Sequence, residues 1–346
     1  MKLLVIGAGA IGRTHIDRIR RTPGLALAGI ADPSDAGRAL AGSLGVPWAP
    51  DHRSALERFR PQGAIVATPN PAHVPMALDC LACGVAALVE KPVADSVAEA
   101  RQLVEAQARS GVPVLVGHHR RHNPILRQAR ETVASGRLGR IVGANAMACF
   151  YKPEGYFDMA WRREPGGGPV LINLIHEIDM LRFLCGEIVQ VQAASSNAVR
   201  GFAVEDTAAA LLRFESGALG TLLLSDTAVS PWCWDMGAGE QPQYPRQDAN
   251  ALFIAGTQGS LSLPDLSLWH YAGERHWHHP LTREQTAAHT GGPGADPYTR
   301  QLLHFAAVIR GEAAPLCSAL DGLRTLQATR ALLDAAAGAG PVSCTV

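Results

Sequence analysis

A glycine-rich loop directly follows the first apolar segment of the chain. Its six residues are Gly7, Ala8, Gly9, Ala10, Ile11 and Gly12. In such a loop Gly7 allows a tight turn, Gly9 lets a pyrophosphate approach the backbone, and Gly12 permits close packing of the next helix on the strand. The N–H groups at the helix N-terminus, including those of Ala10 and Ile11, would face the phosphates. Because glycine-rich turns are common, the motif indicates a dinucleotide site only between a strand and a helix, which is the context we expect here.

An acidic residue, Asp32, ends the second apolar segment, 20 residues after the last glycine of the loop. A carboxylate at this place accepts hydrogen bonds from the adenosine ribose hydroxyls and repels a 2′-phosphate. Its neighbours Pro33 and Ser34 carry no positive charge that would reverse the preference. We therefore predict NAD as the cofactor, and Arg13 and Arg38 keep NADP as the less favoured alternative.

Three further groups of polar residues follow apolar segments that we expect to be strands. They are Thr68-Pro69-Asn70 with His73, Glu90-Lys91-Pro92, and His118-His119-Arg120-Arg121. In an open parallel sheet the carboxyl ends of the strands share one edge, so these groups would lie beside the cofactor. The residues expected to contact it are Thr68, Asn70, His73, Glu90, Lys91, Pro92 and His119. Desolvation there would lower the pKa of Lys91 and suit it to proton transfer, whereas the alternative is a solvated lysine in a surface turn.

Three consecutive glycines at 166–168 precede a segment that places several polar residues on one helix. Asn173 and His176 share a face at i and i+3, and Asp179 lies three residues beyond His176, close enough for its carboxylate to orient the imidazole. A histidine in an otherwise apolar helix is more often a satisfied core residue than a catalyst. The His-x-x-Asp pair also suggests a metal, but no third ligand is evident, and we predict no metal site.

An alternation of strands and helices in the first third of the chain would bring these residues together. Strands are predicted at 2–6, 25–31, 64–67, 86–89 and 112–116. Helices are predicted at 10–21, 34–44, 71–83, 96–109 and 124–135. Short Val, Ile, Leu and Ala runs between helical segments are typical of a parallel sheet covered on both faces, and right-handed crossovers make it a doubly wound α/β sheet.

After about residue 140 the pattern changes to longer strands joined by turns. Strands are predicted at 141–151, 188–197, 203–214, 218–226, 251–256, 260–263 and 266–271. Helices are predicted at 171–184, 297–310 and 318–337. This pattern indicates an α+β domain with a large, mainly antiparallel open sheet. We place a dinucleotide-binding domain at 1–120 and a substrate-binding domain at 121–346, and we allow for the C-terminal helices packing back on the first domain.

The composition excludes several classes of protein. The chain has 346 residues, 47% of them hydrophobic, and its 31 Lys plus Arg are balanced by 31 Asp plus Glu. A zero net charge supplies no overall field for nucleic acid or an anionic membrane, and no apolar run approaches the roughly 18 residues of a membrane span. The first apolar segment is too short for a secretory signal, and seven cysteines in apolar surroundings suit a reducing compartment. We therefore expect a cytoplasmic protein whose partner is a small molecule.

The residues above also carry a family resemblance. Four motifs occur in order: the glycine loop, Thr68-Pro69-Asn70 with His73, Glu90-Lys91-Pro92, and the three glycines followed by His176 and Asp179. Together they resemble the glucose–fructose oxidoreductase / inositol dehydrogenase / rhizopine-catabolism (Gfo/Idh/MocA) family over essentially the whole chain. The resemblance implies an N-terminal Rossmann domain and a C-terminal α/β domain whose open sheet often forms the subunit interface. It also implies that Lys91 lies near the reacting hydroxyl, that Pro92 often follows a cis bond, and that His176 binds or deprotonates that hydroxyl.

Two features bear on the chemistry, a departure from the family pattern at residues 172–173 and a pair of arginines at 120–121. Many members carry an aspartate four residues before the histidine, where this chain has Ile172 with Asn173 beside it. An asparagine can hydrogen-bond a hydroxyl but cannot take its proton, so the acid–base work would fall to Lys91 and His176. Arg121 and the arginine before it would be structural ion-pair partners or a clamp for a substrate carboxylate. The residues expected at the substrate are Asn173, Asp179, Arg121 and Trp161.

Two later segments each allow two interpretations. The segment at 230–245 carries tryptophans and prolines and would be a substrate loop or a subunit contact. The four histidines within 270–279 suggest a metal, but their spacing matches no known site, and an exposed hairpin or an interface is the favoured interpretation.

These observations predict an NAD-dependent dehydrogenase that oxidises a CH–OH group of a cyclic polyol, sugar or sugar acid. Lys91, assisted by His176, would remove the hydroxyl proton while the cofactor carries the redox chemistry. The alternatives are a dehydrogenase of dihydrodiols or related ring compounds, a non-enzymatic NAD-binding regulator, and an NAD-dependent glycoside-cleaving enzyme. Because an open sheet would expose apolar surface, we expect a homodimer or homotetramer joined through residues of about 141–271.

Overall fold

The computed structural model describes residues 1–285 and 296–344. They form two compact units, the first comprising residues 1–122 and 296–326 and the second residues 123–285 and 327–344. The helices are α1 Ala10–Arg21, α2 Asp35–Leu44, α3 His52–Phe59, α4 His73–Ala82, α5 Val97–Ser110, α6 Pro124–Ala134, α7 Ile175–Cys185, α8 Trp234–Ala238, α9 Pro297–Ile309 and α10 Ala319–Asp334.

The first unit contains a six-stranded sheet. Its strands are β1 Lys2–Ile6, β2 Ala26–Ala31, β3 Trp48–Ala49, β4 Gly63–Val66, β5 Ala86–Val89 and β6 Val114–Val116. They are arranged in the order β3-β2-β1-β4-β5-β6, and each neighbouring pair is parallel. The order reverses between β1 and β4, and ligands of open α/β sheets bind at such a switch point, beyond the carboxyl ends of the strands. The predicted doubly wound parallel sheet is confirmed.

Alternating side chains of β1 enter separate cores on the two faces of this sheet. Leu4 and Ile6 belong to one apolar cluster, while Leu3 and Val5 belong to the other. Because the strands are buried on both faces, they consist of continuous apolar runs rather than alternating patterns. Side-chain caps fix the starts of several crossover helices; at α5, Ser96 and Glu99 form a complete capping box.

The second unit contains a nine-stranded sheet. Its strands are β7 Ile141–Cys149, β8 Ile188–Ser196, β9 Thr207–Phe214, β10 Leu219–Ser225, β11 Leu252–Gly256, β12 Gly259–Leu263, β13 Ser267–His270, β14 Thr282–Gln285 and β15 Val342–Ser343. The order is β14-β13-β12-β11-β7-β10-β9-β8-β15. Pairing is antiparallel except between β7 and β10, the one parallel pair among the described strands of this sheet. The predicted mainly antiparallel sheet is therefore confirmed.

One face of the nine-stranded sheet packs on helices and the other faces outward. The inner side chains, such as Leu212, Leu222 and Ile254, join α6 and α7 in a single apolar cluster. Along β9 and β10 every second residue is exposed, which is the period expected of a sheet covered on one side.

The structure adds elements that the sequence patterns did not predict. These are β3, α3, α8, β14 and β15. The segment predicted as a helix at 171–184 begins instead with a π-helical turn, Val170–Leu174, before α7. The predicted loop at 230–245 contains α8, and Trp234 in this helix is only 1% exposed, so that this tryptophan belongs to the core.

Candidate active site

The glycine loop adopts the geometry that a dinucleotide site needs. Gly7 has a φ of 96°, and a Cβ there would lie 2.5 Å from the carbonyl oxygen of Ala67. A Cβ on Gly12 would lie 2.0 Å from the carbonyl oxygen of Gly7, so both positions require glycine for packing. A Cβ on Gly9, in contrast, would meet nothing within 4 Å among the described atoms. Gly9 therefore borders open space, where a pyrophosphate can approach the backbone.

Two further observations fit a dinucleotide at this loop. Helix α1 begins after Gly9, and no side chain of the described residues caps its first N–H groups, which suits a phosphate as their partner. The Thr68 hydroxyl, just beyond β4, is buried and has no hydrogen-bond partner among the described residues. Buried polar atoms are normally paired, so this hydroxyl is a candidate contact for a ligand.

Asp32 is fixed at the end of β2 as a carboxylate. Its Oδ2 accepts a hydrogen bond of 2.7 Å from the backbone N–H of Ala8, and its Oδ1 accepts from the N–H and the hydroxyl of Ser34. Partial burial alone would raise the pKa of Asp32, but these hydrogen bonds and the charge of Arg13 lower it below its usual value. The carboxylate is thus charged and oriented beside the glycine loop.

His73 connects two of the predicted motifs. One ring nitrogen lies 2.8 Å from the carbonyl oxygen of Thr68 and the other 2.8 Å from that of Pro92. Both partners are carbonyl acceptors, so the ring is placed to donate to them. His73 is 1% exposed. Because its ring contacts a carbonyl from each segment, it links the segments that follow β4 and β5. Asn70 starts the short 3₁₀ turn Asn70–Ala72 that precedes it.

A buried histidine–glutamate pair supports the backbone of Lys91. Glu90 Oε1 lies 2.7 Å from His15 Nε2, and Glu90 Oε2 accepts from the backbone N–H of Lys91 at 3.2 Å. Complete burial would raise the pKa of Glu90, but the hydrogen bond from His15 and the charges of His15, His119 and Lys91 lower it. The Lys91–Pro92 bond is cis. The predicted residues of this tripeptide therefore lie beyond the carboxyl end of β5, with Lys91 half-buried.

The histidine- and arginine-rich segment after β6 is buried rather than exposed. His119 stacks on Tyr298 with ring centroids 4.3 Å apart. Arg121 Nη1 donates to the carbonyl oxygen of Leu316 at 3.0 Å and lies 3.2 Å from a carboxylate oxygen of Asp321. The structural ion pair, one of the two alternatives for Arg121, is thus present within the first unit.

In the second unit, the last of the three glycines, Gly168, allows a carboxylate to approach the backbone. A Cβ on Gly168 would lie 2.5 Å from Oε1 of Glu205, and this same oxygen accepts from the backbone N–H of Val170 at 2.9 Å. Burial raises the pKa of Glu205, against the opposing hydrogen bond from Val170. Glu205 thereby fixes the start of the π-helical turn that carries Asn173.

Asn173 is held by a lysine that lies outside the predicted motifs. Lys152 Nζ donates to Asn173 Oδ1 at 2.7 Å, and it lies 3.6 Å from a carboxylate oxygen of Asp226. Lys152 is 4% exposed. Burial is the main cause that lowers the pKa of Lys152 from 10.5 to about 8; Arg200 and Arg162 lower it further, and Asp226 opposes them.

A signal for Lys152 was present in the sequence. It directly follows an apolar segment, Lys91 follows one after a single glutamate, and each of the two lysines precedes a proline. Only three lysines occur among the 31 Lys and Arg residues of the chain, and these are two of them. A lysine at a strand end in an arginine-rich chain is therefore a useful marker of a titratable site.

The remaining predicted residues lie in the second unit, two of them on α7. His176 is 8% exposed and Asp179 is 1% exposed, and Arg182 lies 4.0 Å from Asp179 and 2.8 Å from Glu187. Trp161 is 49% exposed and lies in the 3₁₀ turn Ala160–Arg163. The structure thus places His176 and Asp179 in buried positions and Trp161 at the surface of the same unit.

The described residues also bear on metal binding and membrane insertion. Residues 1–285 and 296–344 contain no group of three or more His, Cys, Asp or Glu side chains placed to hold a metal ion. Within the same residues, every helix is too short or too polar to cross a membrane.

In the histidine-rich segment, His270 pairs with Glu284 at 2.6 Å, while Trp277 is 84% exposed.

Comparison with known proteins agrees with this geometry. Residues 1–118 match the model of an oxidoreductase family with an NAD-binding Rossmann fold, and residues 126–262 match the GFO/IDH/MocA C-terminal domain. An inositol 2-dehydrogenase of Rubrobacter xylanophilus is 30% identical over 277 residues, which cover 76% of this chain and 71% of that protein. A scyllo-inositol 2-dehydrogenase (NAD(+)) of Bacillus subtilis is 26% identical over 342 residues, covering 94% and 91%.

A solved structure shows the same fold over the full length. The WlbA dehydrogenase of Bordetella pertussis, in complex with NADH and UDP-GlcNAcA, is 21% identical, with a TM-score of 0.79 over 100% of this chain and 99% of that one. The predicted family, the oxidoreductase class and NAD as cofactor are confirmed. This chain therefore belongs to the Gfo/Idh/MocA family of NAD-binding oxidoreductases.

Proposed function

We propose that this protein oxidises a CH–OH group of a cyclic polyol, sugar or sugar acid with NAD as the acceptor. The observation that carries the proposal is the placement of Lys91: it follows β5 at the cofactor edge of the parallel sheet, on a backbone fixed by the buried His15–Glu90 pair. The names of two relatives, both inositol 2-dehydrogenases, support a ring-bearing polyol as the substrate class.

The residues that would hold the cofactor lie in the first unit. The backbone of Gly9 and Ala10 would face the pyrophosphate, and Asp32 would accept from the ribose hydroxyls. The unpaired hydroxyl of Thr68 lies at the same edge. When bound, the nicotinamide ring supplies the hydride acceptor for the reaction. His73 and Glu90, in this proposal, position the backbone rather than contact the cofactor, because their polar atoms already have protein partners.

The proton chemistry is assigned to two side chains, and a third binds the substrate. Lys91 removes the hydroxyl proton of the substrate, and His176 assists by binding or relaying it. Asn173 hydrogen-bonds a substrate oxygen but does not ionise. Arg121 is already engaged by Asp321, so a carboxylate clamp at this residue has less support than its structural role.

A substrate screen tests the proposed function. Purified protein with NAD is offered polyols, aldoses, sugar acids and dihydrodiols, and NADH formation is followed by absorbance. We expect NADH with at least one ring-bearing polyol, sugar or sugar acid. NADH binding without turnover of any of these compounds would contradict the proposal and favour the regulator.

The proposed catalytic pair has its own test. Lys91→Met and His176→Ala should each lower kcat while leaving NADH binding nearly intact. When two residues act as one relay, the effects of removing them are not additive. The kcat of the double variant should therefore be little lower than that of the more impaired single variant. Fully multiplicative losses would show that the two residues act independently.

We also propose that the protein is a homodimer or homotetramer joined through the outer face of the nine-stranded sheet. Register places five large apolar side chains, between 37% and 48% exposed, on this face: Leu211, Leu219, Leu223, Phe253 and Trp269. Exposed apolar patches of this kind are uncommon on monomers. Light scattering at micromolar concentration should give a multiple of 36.6 kDa, and a mass equal to that of one chain would contradict the proposal.

A further inference from the structure

The amide of Asn173 is oriented by a buried lysine. We infer that Lys152 is a positioning residue: in its ammonium form it fixes Asn173 so that this residue presents N–H donors, and not its oxygen, to the substrate. The kinetic part of this inference rests on the proposed CH–OH oxidation. The contact between the two side chains lies within the second unit and stands by itself.

The orientation follows from the chemistry of the two groups. An ammonium has three donors and no acceptor, so it can pair only with the amide oxygen. Lys152 Nζ lies 2.7 Å from Asn173 Oδ1, at a distance typical of a strong charge-assisted hydrogen bond. The oxygen and nitrogen of an asparagine amide are distinguished by their hydrogen-bond partners. Because an ammonium group only donates, the amide atom that faces Lys152 is the oxygen. The Nδ2 donors of Asn173 therefore point away from Lys152.

The surroundings of Lys152 explain why its ammonium group can lose its proton near neutral pH. Lys152 Nζ lies 3.6 Å from one carboxylate oxygen of Asp226, and Arg200 Nε donates to the other oxygen at 2.8 Å. The ring of Tyr156 lies 4.8 Å from Nζ, and Arg162 stacks on the same ring at 3.9 Å. Glu205 contributes a weaker electrostatic interaction. Burial, with Arg200 and Arg162, lowers the pKa of Lys152 to about 8.

Loss of this proton would change what Asn173 offers. A neutral amine has a lone pair and can accept a hydrogen bond from Nδ2, so the amide is free to turn and present its oxygen instead. Asn173 therefore donates to the substrate below a pH of about 8, and this donation is lost as the pH rises through the pKa of Lys152.

A donor at Asn173 matches the charge that the reaction develops. In the proposed oxidation the O–H proton passes to the base, the C–H hydride passes to NAD, and a C=O bond forms. The substrate oxygen gains negative charge as its proton leaves, and an oriented N–H donor stabilises that charge. An amide oxygen in the same place would repel it.

The use of lysine at this position supports a titratable role. The chain places arginine at most of its cationic positions and has only three lysines, Lys2, Lys91 and Lys152. Arginine stays protonated at all relevant pH values, whereas a buried lysine changes its pKa readily.

Nuclear magnetic resonance tests the contact without any substrate. Lysine labelled with ¹³C at Cε gives three resonances, and Lys2→Met and Lys91→Met assign two of them, which leaves Lys152 by elimination. Asparagine labelled with ¹⁵N gives six side-chain amides, and Asn173→Ala assigns that of Asn173. We expect Lys152 to titrate near pH 8 and the amide of Asn173 to follow with the same midpoint. Titration of Lys152 near 10.5, or an amide that does not respond, would overturn the inference.

Kinetics on a substrate found in the screen test the consequence. The wild type should lose kcat/KM above a pH of about 8; Lys152→Met should lower kcat/KM by about 10- to 100-fold at neutral pH and remove this alkaline limb. Lys152→Arg, which keeps the charge, should move the limb to higher pH, and Lys2→Met serves as the matched control of lysine removal. The double variant, Lys152→Met with Asn173→Ala, should have a kcat/KM little lower than that of either single variant.

Each outcome separates the inference from the proposed function. Multiplicative losses in the double variant, or an alkaline limb that survives Lys152→Met, would refute the positioning role while leaving the oxidation intact. If no compound yields NADH, the proposed function fails, and the resonance titration of the wild type still decides whether Lys152 orients Asn173.

Discussion

Two lysines follow strands in this protein, and their surroundings differ in an instructive way. Lys91 follows β5, and the buried charge lies beneath it, in the His15–Glu90 pair that fixes its backbone. Lys152 follows β7, and its own ammonium group is the buried charge, hydrogen-bonded to the neutral amide of Asn173. The first arrangement suits a residue that exchanges a proton with a ligand. The second suits a residue that holds a neighbour in place.

The largest expected effect separates these two roles. Lys91→Met removes the proposed proton acceptor, so kcat should fall by about 10²–10⁴-fold, the usual contribution of a general base. Lys152→Met should lower kcat/KM less, because the base remains. Steady-state kinetics of both variants on one substrate make the comparison, with NADH fluorescence as the binding control. A wild-type kcat for Lys91→Met would remove this lysine from the mechanism.

The glycines of the two units should also differ in their tolerance of alanine. Gly12→Ala brings a Cβ to 2.0 Å from a backbone oxygen, which cannot move easily, so we expect a loss of about 3 kcal/mol in the free energy of unfolding. Gly168→Ala meets the end of the Glu205 side chain, which can shift, and should cost about 1 kcal/mol. Urea unfolding followed by circular dichroism measures both. Gly9→Ala is the matched control: its stability should be unchanged while NADH affinity falls, and an unchanged affinity would speak against a pyrophosphate at Gly9.

We expect cofactor preference to depend on the first unit alone. Because the charged Asp32 would repel a 2′-phosphate, kcat/KM with NAD should exceed that with NADP at least tenfold, or by about 1.4 kcal/mol. Asp32→Ser should narrow this ratio, whereas Lys152→Met should leave it unchanged. Equal use of both cofactors by the wild type would contradict the role given to Asp32.

The smallest effect concerns two glutamates whose pKa values move in opposite directions. The pKa of Glu90 is lowered in the folded protein, so its contribution to stability is present above the unfolded pKa of about 4.3 and is lost as the pH falls through the folded value. The pKa of Glu205 is raised, so its contribution is present at low pH and is lost as the pH rises through the folded value.

Glutamine substitutions distinguish the two carboxylates. Glu90→Gln should lower the stability at pH 7, and the stability of this variant should fall less than that of the wild type as the pH is lowered. Glu205→Gln keeps an oxygen for the N–H of Val170 and removes a half-buried charge, so stability at pH 7 should rise or stay the same. Thermal midpoints between pH 4 and 8 provide the measurement. If both substitutions changed the midpoint at pH 7 in the same direction, the direction given for one of the two pKa values would be wrong.

The parallel sheet was predictable because each strand is a short apolar run followed at once by a helix with a recognisable start, such as Ser96 before α5. The missed strands β3 and β15 have two residues each, too few for a periodic pattern. The π-helical turn at Val170–Leu174 was missed because its apolar residues continue the pattern of α7. The start of this turn is fixed by Glu205, which is distant in sequence and accepts a hydrogen bond from the backbone N–H of Val170.

The candidate site was predictable where strand ends share an edge. This reasoning located Asp32, Thr68 and Lys91 from sequence alone. It missed Lys152 for a physical reason: consecutive antiparallel strands end at opposite edges, so nothing in the pattern brought Lys152 together with Asp226. The parallel pairing of β7 with β10 places these two residues side by side, and that pairing depends on tertiary structure.

The transfer of deuterium tests the central claim most directly. A substrate found in the screen, carrying deuterium on its CH–OH carbons, is incubated with the protein and NAD, and the reduced cofactor is analysed by mass spectrometry. The account predicts one deuterium in the reduced nicotinamide and a ketone on the product, since the hydride comes from the carbon that bears the hydroxyl. A reduced cofactor without deuterium, or a product formed with no net reduction of NAD, would contradict it.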